Sequence, residues 1–243
     1  PLQGGGITGT SSVAPRGDAT SAGSLRSGGG PRAVRDGILC LPVPSRTGVQ
    51  YEHSAFRNRW PVGLIKTRDE IEKIRASGRV VARVIRLCYE SITPGKTTTK
   101  QVDDLAHRLI TEAGGTPSFL NYRGTYPAST CLSVNDVVIH GIPDDRILHD
   151  GDIIDIDVGV KLNGWHADSA WTFGIGTISG DAQRLLNVTR ESLFQGIAKA
   201  RHGNRIGDIG AAVQKYVESN GYSVVRDLVG HGIGQNLHEA PPN

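Results

Sequence analysis

The stretch DIIDIDVGVKLNGWHADSAWTFG, residues 152–174, decides how the chain is read. Two alternating runs flank Asn163-Gly164, and a two-residue Asn-Gly loop is the strongest short signal for a β-hairpin because both central residues must take positive φ. The turn sets the register. Leu162 opposite Trp165 puts Gly159 opposite Asp168 and Asp157 opposite Ala170. Asp157 and Asp168 then leave the same face as diagonal neighbours, about 7–8 Å apart between Cα atoms. Ile154, Ile156, Val158 and Val160 take the other face, toward a core. Two carboxylates so placed repel unless positive charge lies between them, and hard divalent cations fill that role. The competing reading is of solvated acidic groups on a strand face. It suits Asp152 and Asp155, expected at the surface or in turns.

Composition bounds the class. At 243 residues and 37% hydrophobic content the chain can bury a real core, as one large domain or two small ones. No apolar run approaches the roughly 20 residues of a membrane helix, and no signal-peptide segment opens the chain, so no membrane partner is expected. Cys40, Cys88 and Cys131 are widely spaced, odd in number and without a CxxC pattern. Neither a disulfide framework nor a zinc knuckle follows, and a reducing cytoplasm is expected. Residues 1–60 hold seven Arg against three acidic groups, leaving twenty basic against twenty-one acidic beyond them. That balance offers no basic patch for nucleic acid.

Residues 1–62 are rich in Gly, Ser, Pro and Arg without sustained periodicity, and are expected to form a disordered extension. An organelle transit peptide is the alternative, weakened by Asp18, Asp36 and the glycines. Order is expected from about residue 63. A capping box, Thr67 with Glu70, precedes Ile71, Ile74, Val81, Ile85, Cys88 and Ile92 at helical spacing. A second, Thr98 with Gln101, opens a helix carrying Val102, Leu105, Ala106, Leu109 and Ile110 on one face. Residues 116–143 read as loop with short β-runs, ending in HGIP. After the hairpin, Ser179 and Asp181 begin a third helix through Leu185, Leu186, Leu193, Phe194 and Ile197. A fourth runs from about Asp208 to Ser219, and a β-run from Tyr222 to Val229 leads into HGIG. Helix, helix, β-run and HGI thus occur twice, a weak internal repeat whose second copy ends before any acidic hairpin.

His140 and His231 each precede Gly-Ile, and His238 lies seven residues after His231. Imidazole is a neutral nitrogen ligand, and carboxylates bridge cations about 3.5–4 Å apart, an arrangement that makes hydroxide from water. Glycine beside His231 lets backbone approach a ligand closely. Taken singly, a histidine is more often structural. His107, His149, His166 and His202 are read that way, with His166 placed on the hairpin face opposite Asp168.

Residues 63–243 resemble a type I methionine aminopeptidase of the pita-bread fold. The resemblance is carried by KTRDEIEKIR at 66–75, YPASTCLSVNDVVIHGIPDDR at 126–146, DGDIIDIDVGVKLNGWHADSAWTFGIG at 150–176 and VVRDLVGHGIGQNLHEAPPN at 224–243. It implies an α+β fold in which helix-helix-β units, related by a pseudo-twofold axis, surround a curved antiparallel sheet. It also implies removal of the initiator methionine from nascent polypeptides whose second residue is small, with two divalent ions: Co, Mn, Fe or Zn. By position, Asp157, Asp168 and His231 would be metal ligands. His140 and His238 would bond the substrate amide and the tetrahedral intermediate, while Tyr126, Cys131 and Leu237, with Tyr122, would line the methionine pocket. A monomer acting at the ribosome is the expected form.

The family site also uses two glutamates, which fall after the end of this sequence; Glu239 belongs to the His238 motif and does not replace them. The last sheet segment would be missing as well. With three of five protein ligands, the sequence as given is expected to bind metal poorly and turn over little or nothing. The rivals are another pita-bread hydrolase, prolidase-like or aminopeptidase P-like, and a non-catalytic pita-bread binding module. Retention of Asp157, Asp168 and His231 weighs against the module.

Overall fold

A computed structural model of the chain describes residues 13–15 and 64–241. Both expected capping boxes form. Thr67 caps α1 (Arg68–Glu90), where the Thr67 hydroxyl accepts from Glu70 N and the Glu70 carboxylate accepts from Thr67 N at 2.7 Å. Thr98 and Gln101 do the same for α2 (Thr99–Glu112). Each pair satisfies amide groups that a helix start leaves without partners.

After α2 come β2 (Thr116–Pro117), β3 (Thr130–Val134), β4 (Ile153–Leu162) and β5 (Trp165–Gly174). β4 is the spine of the sheet. β5 runs antiparallel along its whole length on one edge, while β3 covers Ile154–Val158 and β2 covers Val160–Lys161 on the other. The turn has the left-handed geometry an Asn-Gly hairpin needs, with Asn163 at φ 51° and Gly164 at φ 84°. The register is the expected one: Gly159 faces Asp168 and Asp157 faces Ala170.

The alternation of β4 then separates core from site. Ile154, Ile156, Val158 and Val160 are fully buried against Val81, Val84, Ile85 and Cys88 of α1 and Val102, Ala106 and Ile110 of α2. Each such aliphatic side chain contributes about 1.5–3 kcal/mol by leaving water.

The second half repeats the order with α3 (Gly180–Ile197), α4 (Ile206–Ser219) and β6 (Tyr222–Val224), around a smaller core of Val188, Val217 and Tyr222. β6 is shorter than the expected run to Val229, because a turn at Arg226-Asp227 interrupts it. No counterpart of the β4–β5 hairpin follows among the described residues. Ile71, Phe194 and Ile197 lie on expected apolar faces yet are 38–43% exposed. Helical period identifies a face without identifying what covers it.

Within the expected extension, Val13–Pro15 forms a short strand, β1, antiparallel to β6 with Ala14 opposite Ser223. An edge strand offers unpaired backbone groups that a passing segment can satisfy. The rest of residues 1–62 lies outside the described residues. No described helix is long and apolar enough to cross a membrane. Replacing the central core residue, Ile156→Ala, is expected to destabilise the fold by roughly 3 kcal/mol, read as a shift in the urea midpoint at unchanged slope.

Candidate metal centre

The face of β4 and β5 turned from the core carries Asp155, Asp157 and Asp168. Asp157 is deeply buried, and its Oδ1 has no hydrogen-bond partner. Burial first, then the charges of Asp168 and Asp155, push its carboxyl well above the usual carboxylate range. Buried oxygens almost always find a partner, so an orphaned one beside a second carboxylate marks a place built for something positive.

The third expected ligand arrives from far along the chain. His231 Nε2 lies 3.6 Å from Asp168 Oδ2. Its Nδ1 is 3.0 Å from the Gly232 carbonyl, a bond that requires Nδ1–H and leaves the lone pair of the neutral ring on Nε2, the nitrogen beside Asp168. The adjoining Asp168 carboxylate raises the His231 pKa above its ordinary value, against the effect of burial. Among the described residues, no three His, Cys, Asp or Glu side chains converge closely enough to hold a metal ion by themselves. Asp157 and Asp168 share the hairpin face, and His231 reaches Asp168, without closing such a group.

His238 stands beside His231, ring centroids 4.1 Å apart and planes inclined by 41°. Its Nδ1 bonds the Tyr122 hydroxyl at 2.8 Å. Burial, and after it the neighbouring His231, lower its pKa, favouring the neutral ring. His140 is exposed and takes a left-handed φ of 56°. Gly141 holds it to the sheet, its carbonyl accepting from Leu132 N at 2.8 Å and its N–H donating to Ser133 Oγ at 3.2 Å.

The expected pocket residues converge. Cys131 and Leu237 are buried in one apolar cluster with Phe119, and Tyr122 and Tyr126 pack against it. Cys131 lies opposite Asp157 across the β3–β4 pair, so the cluster adjoins the carboxylates directly. The Tyr126 hydroxyl is shared between the carbonyls of Thr130 (3.0 Å) and Gly141 (3.1 Å). Burial raises its pKa, keeping the phenol protonated. α2 anchors the start of β3, where Asp103 Oδ1 accepts from Ser129 N, Thr130 N and Thr130 Oγ1 at 2.7–3.0 Å.

Several functional neighbours escape sequence reasoning. His166, two residues before Asp168 on β5, shares the face of Asp168 and does not oppose it: the period of two in a strand requires this. Its Nδ1 is 2.9 Å from Ser118 Oγ, and its backbone N donates to Gly234 O at 2.7 Å, tying the HGIG loop to the hairpin. Asp155 is likewise no surface or turn residue. It sits on the Asp157 face, largely buried, and accepts from Thr172 Oγ1 at 2.9 Å. Asp152 is the turn residue expected, accepting from His149 N and Asn135 Nδ2. Phe119 lies alone in a loop and gives no periodic signal. Lys66 and Glu239, 173 residues apart, form an ion pair at 2.6 Å. The Asn236 amide and Lys66 hold the Glu239 carboxyl below its ordinary range despite the opposing effect of burial.

Residues 72–243 match metallopeptidase family M24. The methionine aminopeptidase of Clostridium perfringens is 50% identical over 178 residues, covering 73% of this chain and 71% of its own. Methionine aminopeptidase 1 of Bacillus subtilis is 49% identical over the same length and shares. The crystal structure of methionine aminopeptidase from Rickettsia prowazekii superposes with a TM-score of 0.71 at 42% identity, covering 73% of this chain and 71% of that one. The prolidase from Pyrococcus furiosus, at 23% identity and a TM-score of 0.65, shares the fold alone. An acidic hairpin joined to a histidine-bearing loop on this α+β fold is thus the frame of a metallopeptidase. The chain belongs to metallopeptidase family M24, within the methionine aminopeptidases.

Burial also decides the chemistry of the two described thiols. Cys88 and Cys131 are both pushed up to about 12, burial being the larger cause in each and a nearby aspartate the second. The thiolate is therefore scarce at neutral pH. Neither is expected to react with iodoacetamide at pH 8 until the chain is unfolded, as peptide mapping would show. The sign for stability follows: the folded state retains protons that the unfolded state releases. Stability is expected to fall as pH rises through about 8.5, the ordinary thiol value, toward 12.

Proposed function

We propose that this chain removes the N-terminal methionine from polypeptides by metal-assisted hydrolysis, with residues 63–243 as the catalytic domain. The observation that carries this reading is the buried, unpartnered Asp157 Oδ1 on the strand face that also carries Asp168, with the Nε2 of His231 3.6 Å from Asp168 Oδ2. The donors fit hard or borderline divalent cations, and we assign Asp157 and Asp168 as carboxylate ligands and His231 as the nitrogen ligand of a two-ion site. Such a pair, when bound, supplies Lewis acidity and a potent nucleophile from water at neutral pH. Cobalt, manganese, iron and zinc all suit this donor set.

The remaining roles belong to the protein's own groups. The methionine side chain enters the cluster of Tyr126, Cys131 and Leu237, completed by Phe119 and Tyr122, where apolar walls exclude water. Cys131 contributes as a neutral thiol and needs no reactivity. Tyr122, through Nδ1 of His238, orients that ring and leaves Nε2 free to bond the oxygen on which negative charge develops. His140, approaching from the opposite half of the repeat, bonds the substrate amide. A polypeptide beginning with methionine and a small second residue is the substrate, met as a nascent chain at the ribosome. We place the enzyme in the cytoplasm as a monomer, in keeping with two free, buried thiols.

The test is methionine release from Met-Ala-Ser, with an Ala-Pro peptide as control, in manganese and in chelator. Slow manganese-dependent release from Met-Ala-Ser alone is expected. Cleavage of Ala-Pro alone would make the chain prolidase-like, and bound manganese without any release would favour the binding module. Asp157→Asn separates metal binding from folding. In the metal-free chain it removes one of two facing carboxylates and lets an amide donate to Asp168, so a stability gain of about 1 kcal/mol is expected by chemical denaturation. The same variant is expected to lose the stabilisation that added manganese gives the parent chain.

A further inference from the structure

The loop from Gly232 to Glu239 is closed at its base and filled at its centre. Gly232 and Glu239 exchange both backbone hydrogen bonds at 2.8 Å, so the two residues that precede them, His231 and His238, leave the ends of one bridge. The Glu239 side chain folds back into the loop it closes. Its Oε1 accepts from Asn236 N at 3.0 Å, and it lies so close over Gly234 that a Cβ there would meet both carboxylate oxygens at 2.5 Å. A side chain at Gly234 would force the carboxylate to shift. On its other side Oε2 meets Lys66 Nζ at 2.6 Å, with both side chains less than one-fifth exposed.

A partly buried charge pair of this kind is costly to break, because removing one member strands the other away from water. Lys66 comes from the segment leading into α1, which is otherwise remote from the histidines in sequence. The HGIG loop is therefore held from two directions: by β5, through His166 N and Gly234 O, and by the entry to α1, through Lys66.

From this we infer that Lys66 is a positioning residue for the hydrolytic site, setting through Glu239 the spacing and inclination of His231 and His238. Lys66 acts by fixing the carboxylate around which their loop is wound. The inference rests on the roles proposed above for these two rings.

The test uses the full chain with Lys66→Ala, Lys66→Arg and Glu239→Gln, and reads imidazole nitrogen signals by long-range proton–nitrogen NMR without metal. In Lys66→Ala and Glu239→Gln the His231 and His238 signals are expected to move, while those of His107, His149 and His202 stay in place. Lys66→Arg, which keeps the charge, is expected to restore the parent positions. Methionine release from Met-Ala-Ser in manganese is expected to fall about tenfold in kcat for Lys66→Ala, with KM little changed, and to recover in Lys66→Arg. Unmoved His231 and His238 signals in Lys66→Ala would overturn the inference. So would movement of all the histidines together, the mark of general loosening. If the parent chain releases no methionine, the proposed activity fails, and the NMR signals alone decide the role of Lys66.

Discussion

The pairing of β4 with β5 is the constraint on which the rest depends. A two-residue turn with both φ values positive admits one register, and that register puts Asp157 and Asp168 on the same face with Gly159 opposite Asp168. A slip by one residue would send Ile154, Ile156, Val158 and Val160 into the site and the aspartates into the core. The energetic preference for burying four aliphatic side chains thus enforces an arrangement of carboxylates that is unfavourable on its own. Asp157 is buried with one oxygen unpartnered, and its charge is opposed by the carboxylates of Asp168 and Asp155. The hydrophobic core on the other face of the same strand supplies the free energy that holds it there.

Around this hairpin the two HGI elements serve different ends of one site. The first is attached to β3 through Gly141 and Ser133 and presents His140 beside the pocket. The second is attached to β5 through Gly234 and presents His231 and His238. The second half therefore delivers the imidazole of His231 to an acidic face built by the first. The apolar cluster of Phe119, Cys131 and Leu237 draws on both halves too, and lies next to the carboxylates because Cys131 is opposite Asp157.

What could be read from the sequence is what local rules determine. The Asn163-Gly164 turn, the boxes at Thr67 and Thr98, and the alternation along residues 153–160 each depend on residues a few positions apart, and each appears in the structure as expected. The histidines were legible only through the repeated HGI element and the family resemblance, since no spacing rule brings His231 to Asp168. His166 was within reach, because strand parity alone puts it beside Asp168. Asp155 was hidden by the ordinary expectation that an unremarked acidic residue is solvated, when Thr172 on the paired strand provides its partner. Lys66 with Glu239, and Phe119 with Leu237, are contacts between distant segments, set by tertiary packing and invisible to any window of sequence.

Manganese diffraction decides whether the hairpin face is a cation site. Crystals of the chain soaked in manganese should show anomalous density between the Asp157 and Asp168 carboxylates, on the side faced by His231 Nε2. Density confined to other surface carboxylates, with Asp157 and Asp168 bridged only by a shared proton, would contradict the account.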